Sequence, residues 1–251
     1  MKLRLFFLLL AVGALLGPQI QAQAPKQFSL DELVAKNTEA KGGASALQAL
    51  QSLRLTGKLL VNGGQLELGY AQTRKRPGVR TEVTLQGMTA VTAYDGSEGW
   101  KISPFSGRKD PEKMTADDTK SLVEEAEIDG PLIDWKAKGS TAEYLGTEDI
   151  EGTLAHKLKV ARKNGDITYV YLDPDAFLEI RTVTQRTEQG AQVEVETDMG
   201  DYEKIGGVFV PFSLESGPKG STNKGKIIIE KAEPNVAVDD TTFRFPITAS
   251  K

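Results

Sequence analysis

The chain has 251 residues, 39% of them hydrophobic, 26% charged and 7% aromatic, with a formal net charge of −4, one histidine and no cysteine. This mixture suits one large all-β domain or two small ones, and it is too apolar for a disordered chain. Without cysteine there can be no disulfide scaffold, thiolate zinc site, iron–sulfur cluster, cysteine nucleophile or lipid anchor on cysteine, and the lone His156 rules out a histidine-cluster metal centre.

Residues 1–22 read as a cleaved signal peptide. Lys2 and Arg4 precede the apolar run Leu5 to Leu16, Gly17-Pro18 breaks it, and the small-residue stretch Gln21-Ala22-Gln23-Ala24 follows. Cleavage after Ala22 avoids the Pro25 that would adjoin a cut after Ala24. The run falls short of the roughly 20 residues of a spanning helix, and no later stretch comes closer. Removing 1–22 takes the formal charge from −4 to −6, because the segment holds two basic residues and no acidic one. An acidic exported chain is a poor ligand for nucleic acid. The expectation is a soluble monomer outside the cytoplasm without a lipid anchor, with residues 23–251 forming a single domain.

Two short helices open this domain. Ser29-Leu30-Asp31-Glu32 has capping-box spacing, and Leu30, Leu33 and Val34 share a helical face that polar Asn37 interrupts. Gly42-Gly43 stops that helix, and Ala44 to Leu50 forms the second. From residue 52 the period changes from helical to alternating. Leu53, Leu55, Leu59 and Val61 alternate with Arg54, Thr56, Lys58 and Leu60, and Asn62-Gly63-Gly64 turns the chain into Leu66, Leu68 and Tyr70. Val79, Thr81, Val83 and Leu85 form a third strand, followed by Met88 to Tyr94 and Gly99 to Ile102, making a β-meander.

Residues 105–137 break the pattern and read as an insertion. It carries one helix starting near Thr115, with Leu122, Val123 and Ala126 on one face and Glu124, Glu125 and Glu127 elsewhere. A second run of strands follows. Leu154, His156, Leu158 and Val160 alternate with basic and small residues, and Ile167 to Leu172 leads to the Asp173-Pro174-Asp175 turn. Leu178, Ile180 and Thr182 then Val193, Val195 and Thr197 continue the alternation, before Val208 to Leu214, Lys226 to Lys231 and a closing piece with Phe243 and Phe245.

The class is therefore mainly β (α+β), with about ten or eleven antiparallel strands. Most of these strands are polar on one face and apolar on the other, and a sheet of this size curls to cover its dry face. We expect an antiparallel sheet that is strongly curved or closes, with the short helices covering its concave apolar face. These helices are small for that area, which leaves a cavity or a ligand to fill the remainder.

The chain resembles the LolA/LolB-like superfamily of outer-membrane lipoprotein-sorting proteins. The likeness rests on the Leu-rich stretch Lys41 to Leu50; Arg76-Pro77 leading to Arg80; Tyr94-Asp95-Gly96 with Trp100; Tyr171-Leu172-Asp173-Pro174-Asp175 followed by Leu178; Asp201-Tyr202 with Gly207-Val208-Phe209-Val210-Pro211-Phe212; and Asp240 with Phe243 and Phe245. The resemblance implies an unclosed antiparallel β-barrel or strongly curved sheet with the short helices as a lid, and a periplasmic carrier that takes acyl chains of lipoprotein or lipid from an inner-membrane donor complex to an outer-membrane acceptor. A non-enzymatic sensor using the same fold to bind lipid or a signalling partner is the alternative. On the carrier reading the cavity is lined by Leu53, Leu55, Leu66, Leu68, Val83, Leu158, Ile180 and Val195, with Leu122, Val123 and Ala126 as lid residues. Arg76 and Arg80, in the one dense basic cluster, latch the lid or contact headgroups.

No motif supplies catalysis, a cofactor or a metal. His156 lies on the apolar side of its strand with neither nucleophile nor orienting acid in any motif, and the acidic pairs around Pro174 and at Asp239-Asp240 are turns without the spacing of a calcium loop. A membrane β-barrel is disfavoured because its strands need about 9–11 residues and aromatic girdles.

Overall fold

The structure is a computed structural model describing residues 28–246 apart from residue 189, so the leader expected over 1–22 lies outside the described residues. The first helix, α1 (Leu30–Ala40), starts as a true capping box: the Ser29 hydroxyl accepts from the Glu32 backbone N–H at 3.3 Å, and the Glu32 carboxylate accepts from the Ser29 N–H at 2.8 Å. Asn37, which interrupts the apolar stripe, is nevertheless fully buried, and its Nδ2 donates to the carbonyl of Phe177 at 2.8 Å. The second helix, α2 (Ala44–Ala49), follows a corner at Gly42, whose φ is +118°. A Cβ there would lie 2.2 Å from the Gly207 carbonyl oxygen, so the corner is glycine for both conformation and space.

Thirteen strands follow: β1 (Ser52–Val61), β2 (Leu66–Lys75), β3 (Gly78–Leu85), β4 (Met88–Tyr94), β5 (Gly99–Ser103), β6 (Arg108–Lys113), β7 (Thr141–Ile150), β8 (Thr153–Ala161), β9 (Ile167–Leu172), β10 (Glu179–Glu188), β11 (Ala191–Ile205), β12 (Val208–Pro218) and β13 (Gly225–Pro234). One helix, α3 (Ala116–Glu125), lies between β6 and β7. All thirteen strands belong to one curved antiparallel sheet in the order β6-β5-β4-β3-β2-β1-β13-β12-β11-β10-β9-β8-β7. The sheet is not closed. Two meanders meet at its middle, where β1 pairs with β13 over a ladder running from Leu53 opposite Pro234 to Leu60 opposite Lys226.

The strand total exceeds the sequence expectation because β6 and β7 carry little alternation. β6 falls inside the segment 105–137, so that segment begins with an edge strand and only its later part crosses the concave face. Several strands, including β1, β2, β10 and the 15-residue β11, reach or exceed membrane-barrel length. Strand length is therefore not what separates this fold from a membrane barrel; the unpaired edges at β6 and β7 are. No helix among the described residues is long and apolar enough to cross a membrane.

The buried residues form several packed groups on both faces. On the concave side, α1 and the segment after α3 cover β8 and β9, with Leu33 and Leu132 packed against Leu158, Val160, Val170 and Leu172. Leu47 and Leu50 at α2 pack on Ile133 and Val208, while Leu122 and Ala126 at α3 pack on Val79. On the convex side, Trp100 packs with Val91 and Ala93, and its indole N–H donates to the Phe243 carbonyl at 2.8 Å.

Candidate functional site

The pairing register shows what lines the concave face, because directly paired residues point to the same side. One row runs across five strands: Met199 (β11) opposite Leu214 (β12), Leu214 opposite Ile227 (β13), Ile227 opposite Leu59 (β1), and Leu59 opposite Leu68 (β2). All five are apolar. Further into the fold, Leu53, Leu55, Tyr70, Val210, Phe212 and Ile229 are buried together, with Leu59, Val83, Leu214 and Ile227 packed partly against them. Gly57 sits in the β1 row at a bulge against β13, and a Cβ there would come within 2.0 Å of the Ile228 carbonyl oxygen.

The helices cover only part of this face. By register Leu59, Val61, Leu66, Val83, Leu85, Val195, Met199, Leu214 and Ile227 share this face and are only partly buried, which marks an apolar stretch, the trough, that the helices do not fully cover. Apolar side chains left half-covered in a row across several strands are unusual inside a curved sheet, and they mark a surface suited to an apolar guest.

Beyond the trough the concave face turns polar, and here α3 rests on charge. Glu125 accepts from Gln72 Nε2 at 3.2 Å and from the Thr81 hydroxyl at 3.3 Å. Burial pushes the Glu125 carboxyl above the usual carboxylate range, against the pull of Arg74 and the Thr81 hydroxyl. Thr184 donates to Glu124 at 2.9 Å, and Arg162 donates to Glu127 at 2.8 Å. Burial disfavours the Arg162 charge, but Glu127 and Glu124 outweigh it and hold the guanidinium above its ordinary value. α3 thus packs Leu122 on Val79 of β3, sets Glu125 against polar groups of β2 and β3, and sets Glu124 against Thr184 of β10.

Arg76, in the turn between β2 and β3, bridges two covering elements. Its guanidinium forms a two-pronged pair with Asp129 at 2.5 Å in each arm and donates to the Leu47 and Leu50 carbonyls at 3.2 and 3.4 Å. Asp129 is buried, and its neighbour in the same network, Lys41, donates to the Asp129 carbonyl at 2.9 Å and pairs with buried Glu179 at 2.8 Å. The strand turn, the end of α2 and the segment after α3 are therefore joined through one side chain.

The expected lining residues divide into distinct places. Leu66 and Val83 line the trough with Val195, and Leu68 lies deeper in the same row, while Leu53 and Leu55 belong to the buried base beneath it. Leu158 is covered by α1. Leu122 and Ala126 pack inward from α3, and Val123 faces out, 37% exposed. Ile180 packs with Ala155, Tyr171 and Val183 on the convex face, because a bulge between Glu179 and Arg181 reverses the alternation at that point. The bulge also turns Glu179 inward to Lys41. Arg80 is convex too: it pairs with Glu82 at 2.7 Å, lies over the Trp100 ring, and helps line a polar groove of about 260 Å³ with Arg54, Thr73 and Asp239. Sequence reading missed Gln72, Thr81, Arg162, Thr184 and Arg186, whose common trait, polarity at a concave register position, shows only once strands are paired.

No family model matches the chain, and no curated relative is found. Solved structures share its fold. A putative outer membrane lipoprotein-sorting protein domain from Vibrio parahaemolyticus superposes with a TM-score of 0.57 at 11% identity, covering 86% of this chain and 95% of its own. A DUF1329-family protein from Desulfovibrio piger gives 0.58 at 12% identity, covering 87% and 98%. A LolA-superfamily protein from Nitrosomonas europaea gives 0.57 at 10% identity, also covering 87% and 98%. At these identities the likeness is one of fold.

Proposed function

We propose that this chain, built on the LolA-superfamily fold, is a periplasmic carrier that takes acyl chains of lipoprotein or lipid into its concave trough and delivers them towards the outer membrane. It receives them from an inner-membrane donor complex and passes them to an outer-membrane acceptor. The observation that carries this reading is the row Met199–Leu214–Ile227–Leu59–Leu68, apolar across five paired strands and incompletely covered by the helices. Burying about ten methylenes there is worth roughly 8 kcal/mol, from which the cost of immobilising the guest, itself several kcal/mol, must be subtracted. The balance suits a carrier that must also let go.

The role is binding without catalysis. His156 is absorbed by packing: its Nδ1 is hydrogen-bonded to the Tyr144 hydroxyl at 2.9 Å, its ring stacks on Phe177, and burial holds it below the ordinary imidazole value. The fold shared with a putative lipoprotein-sorting domain also fits a carrier. Native mass spectrometry of protein purified from its own host tests the proposal. A near-stoichiometric acyl-bearing adduct, lost on delipidation and restored by added lipid, is the expected result. Protein that is empty as isolated and takes up no lipid would overturn it.

A further inference from the structure

The polar end of the concave face holds an arrangement that the carrier reading does not use. Arg162 and Arg186 are 10% and 12% exposed in their side chains. Each has its own carboxylate, Arg162 donating to Glu127 at 2.8 Å and Arg186 to Glu188 at 2.6 Å. A third carboxylate, Glu124 of α3, lies between them at 4.0 Å from Arg162 Nη2 and 3.5 Å from Arg186 Nη1, and accepts directly only from Thr184, at 2.9 Å. Arg162 Nη2 is buried without a hydrogen-bond partner. Thr168, 3.3 Å from Thr184, completes the wall.

Two guanidiniums and a hydroxyl thus converge on a carboxylate that fits them poorly, on a side chain still 30% exposed. A buried guanidinium N–H is costly to leave unmade, and a planar fork prefers direct two-pronged contact with an oxyanion. The niche also adjoins apolar surface, since the β10–β11 ladder sets Val195 opposite Thr184 and Val193 opposite Arg186.

We propose that Arg162, Arg186 and Thr184 form a niche for the anionic head, carboxylate or phosphate, of an amphiphile whose tail lies in the trough, and that Glu124 occupies this niche when no ligand is bound. The proposal rests on the carrier reading and adds to it the charge of the cargo. Exchange is charge-neutral for a carboxylate head and brings up to one further negative charge for a phosphate: Glu124 turns outward to solvent as the head replaces it, and Glu127 and Glu188 keep their partners. The dimensions agree. One leaflet's chain spans about 15 Å, half of a hydrocarbon core of roughly 30 Å, and three strand spacings of about 4.8 Å carry a tail from β10 over β11 and β12 to β13.

The test compares three single-chain probes of equal length on the full protein: hexadecanoate, hexadecyl phosphate and the uncharged methyl hexadecanoate. The anions are expected to bind at least about tenfold tighter than the ester. Arg186→Gln should erase that preference and Glu124→Gln should widen it. A preference confined to one anion supports the niche and identifies its head group. Ester binding equal to anion binding, or a preference untouched by both variants, overturns the niche and leaves the carrier standing. Failure of all three probes to bind overturns both.

Discussion

Adjacent isoleucines on β13 give a direct test of the trough. Ile227 is half-buried in the concave row between Leu214 and Leu59, whereas Ile228 is exposed on the opposite face beside Lys58 and Ser213. Ile227→Asn removes about three methylene equivalents from the guest's path, worth about 2.4 kcal/mol at full contact and about half that at partial contact. Binding of a fluorescent fatty acid should therefore weaken by about eight- to fifty-fold. Ile228→Asn makes the same chemical change one residue along and should leave affinity within about twofold, since its side chain lies on the convex face, away from the guest. Urea denaturation of both variants verifies that each is folded before binding is measured. Equal effects at the two positions, or an unchanged affinity in folded Ile227→Asn, would show that the guest does not lie along this row.

Three further outcomes follow from particular contacts. Arg76→Met strands the buried Asp129 carboxylate and should cost about 2–4 kcal/mol in urea, less than for a fully enclosed pair because Arg76 is itself 32% exposed; Arg76→Met with Asp129→Asn should recover much of the loss, and simple additivity would refute the coupling. Glu125 has its carboxyl raised by burial, so the folded state holds this proton more firmly than the unfolded state, and stability falls as pH rises above the ordinary value of 4.5; Glu125→Gln should raise Tm at pH 7 and leave it nearly unchanged at pH 4, and an equal difference at both would contradict the assignment. Gly42→Ala should destabilise by about 3 kcal/mol or more, because its Cβ meets the Gly207 backbone, while Gly43→Ala, with open space around it, should cost only about 1 kcal/mol for its φ of +87°.

What could be read from the residue order was whatever is written locally. The Ser29 capping box, the Thr115 cap and the Asp173 turn all form as their spacing demands, with Asp173 Oδ1 accepting from the backbone of Asp175 and Ala176. Strand β6, Arg-Lys-Asp-Pro-Glu-Lys, escaped notice because an edge strand needs no buried face and so has no apolar period to display. Strand β7 loses its alternation at a bulge between Tyr144 and Thr147. The glutamates set off from the apolar face of α3 show no partner in the sequence, yet Glu124, Glu125 and Glu127 meet Thr184, Thr81 and Arg162. Such complementarity links residues 35 to 60 positions apart and leaves no mark on local periodicity. The trough was legible as a class of surface, an apolar face too large for its helices. Its floor and its charged end depend on register, which bulges at β10 and β13 reset.

The pairing of β1 with β13 has a consequence for how the molecule is made. Each meander is built from neighbouring hairpins and can assemble as its residues emerge, but the seam between them closes a loop from Leu53 to Pro234. Until β13 arrives, β1 and β12 each lack a neighbour and the hollow has no continuous wall. The seam is thus the last part of the sheet that can form, and the two halves, each able to assemble beforehand, zip together once β13 is available.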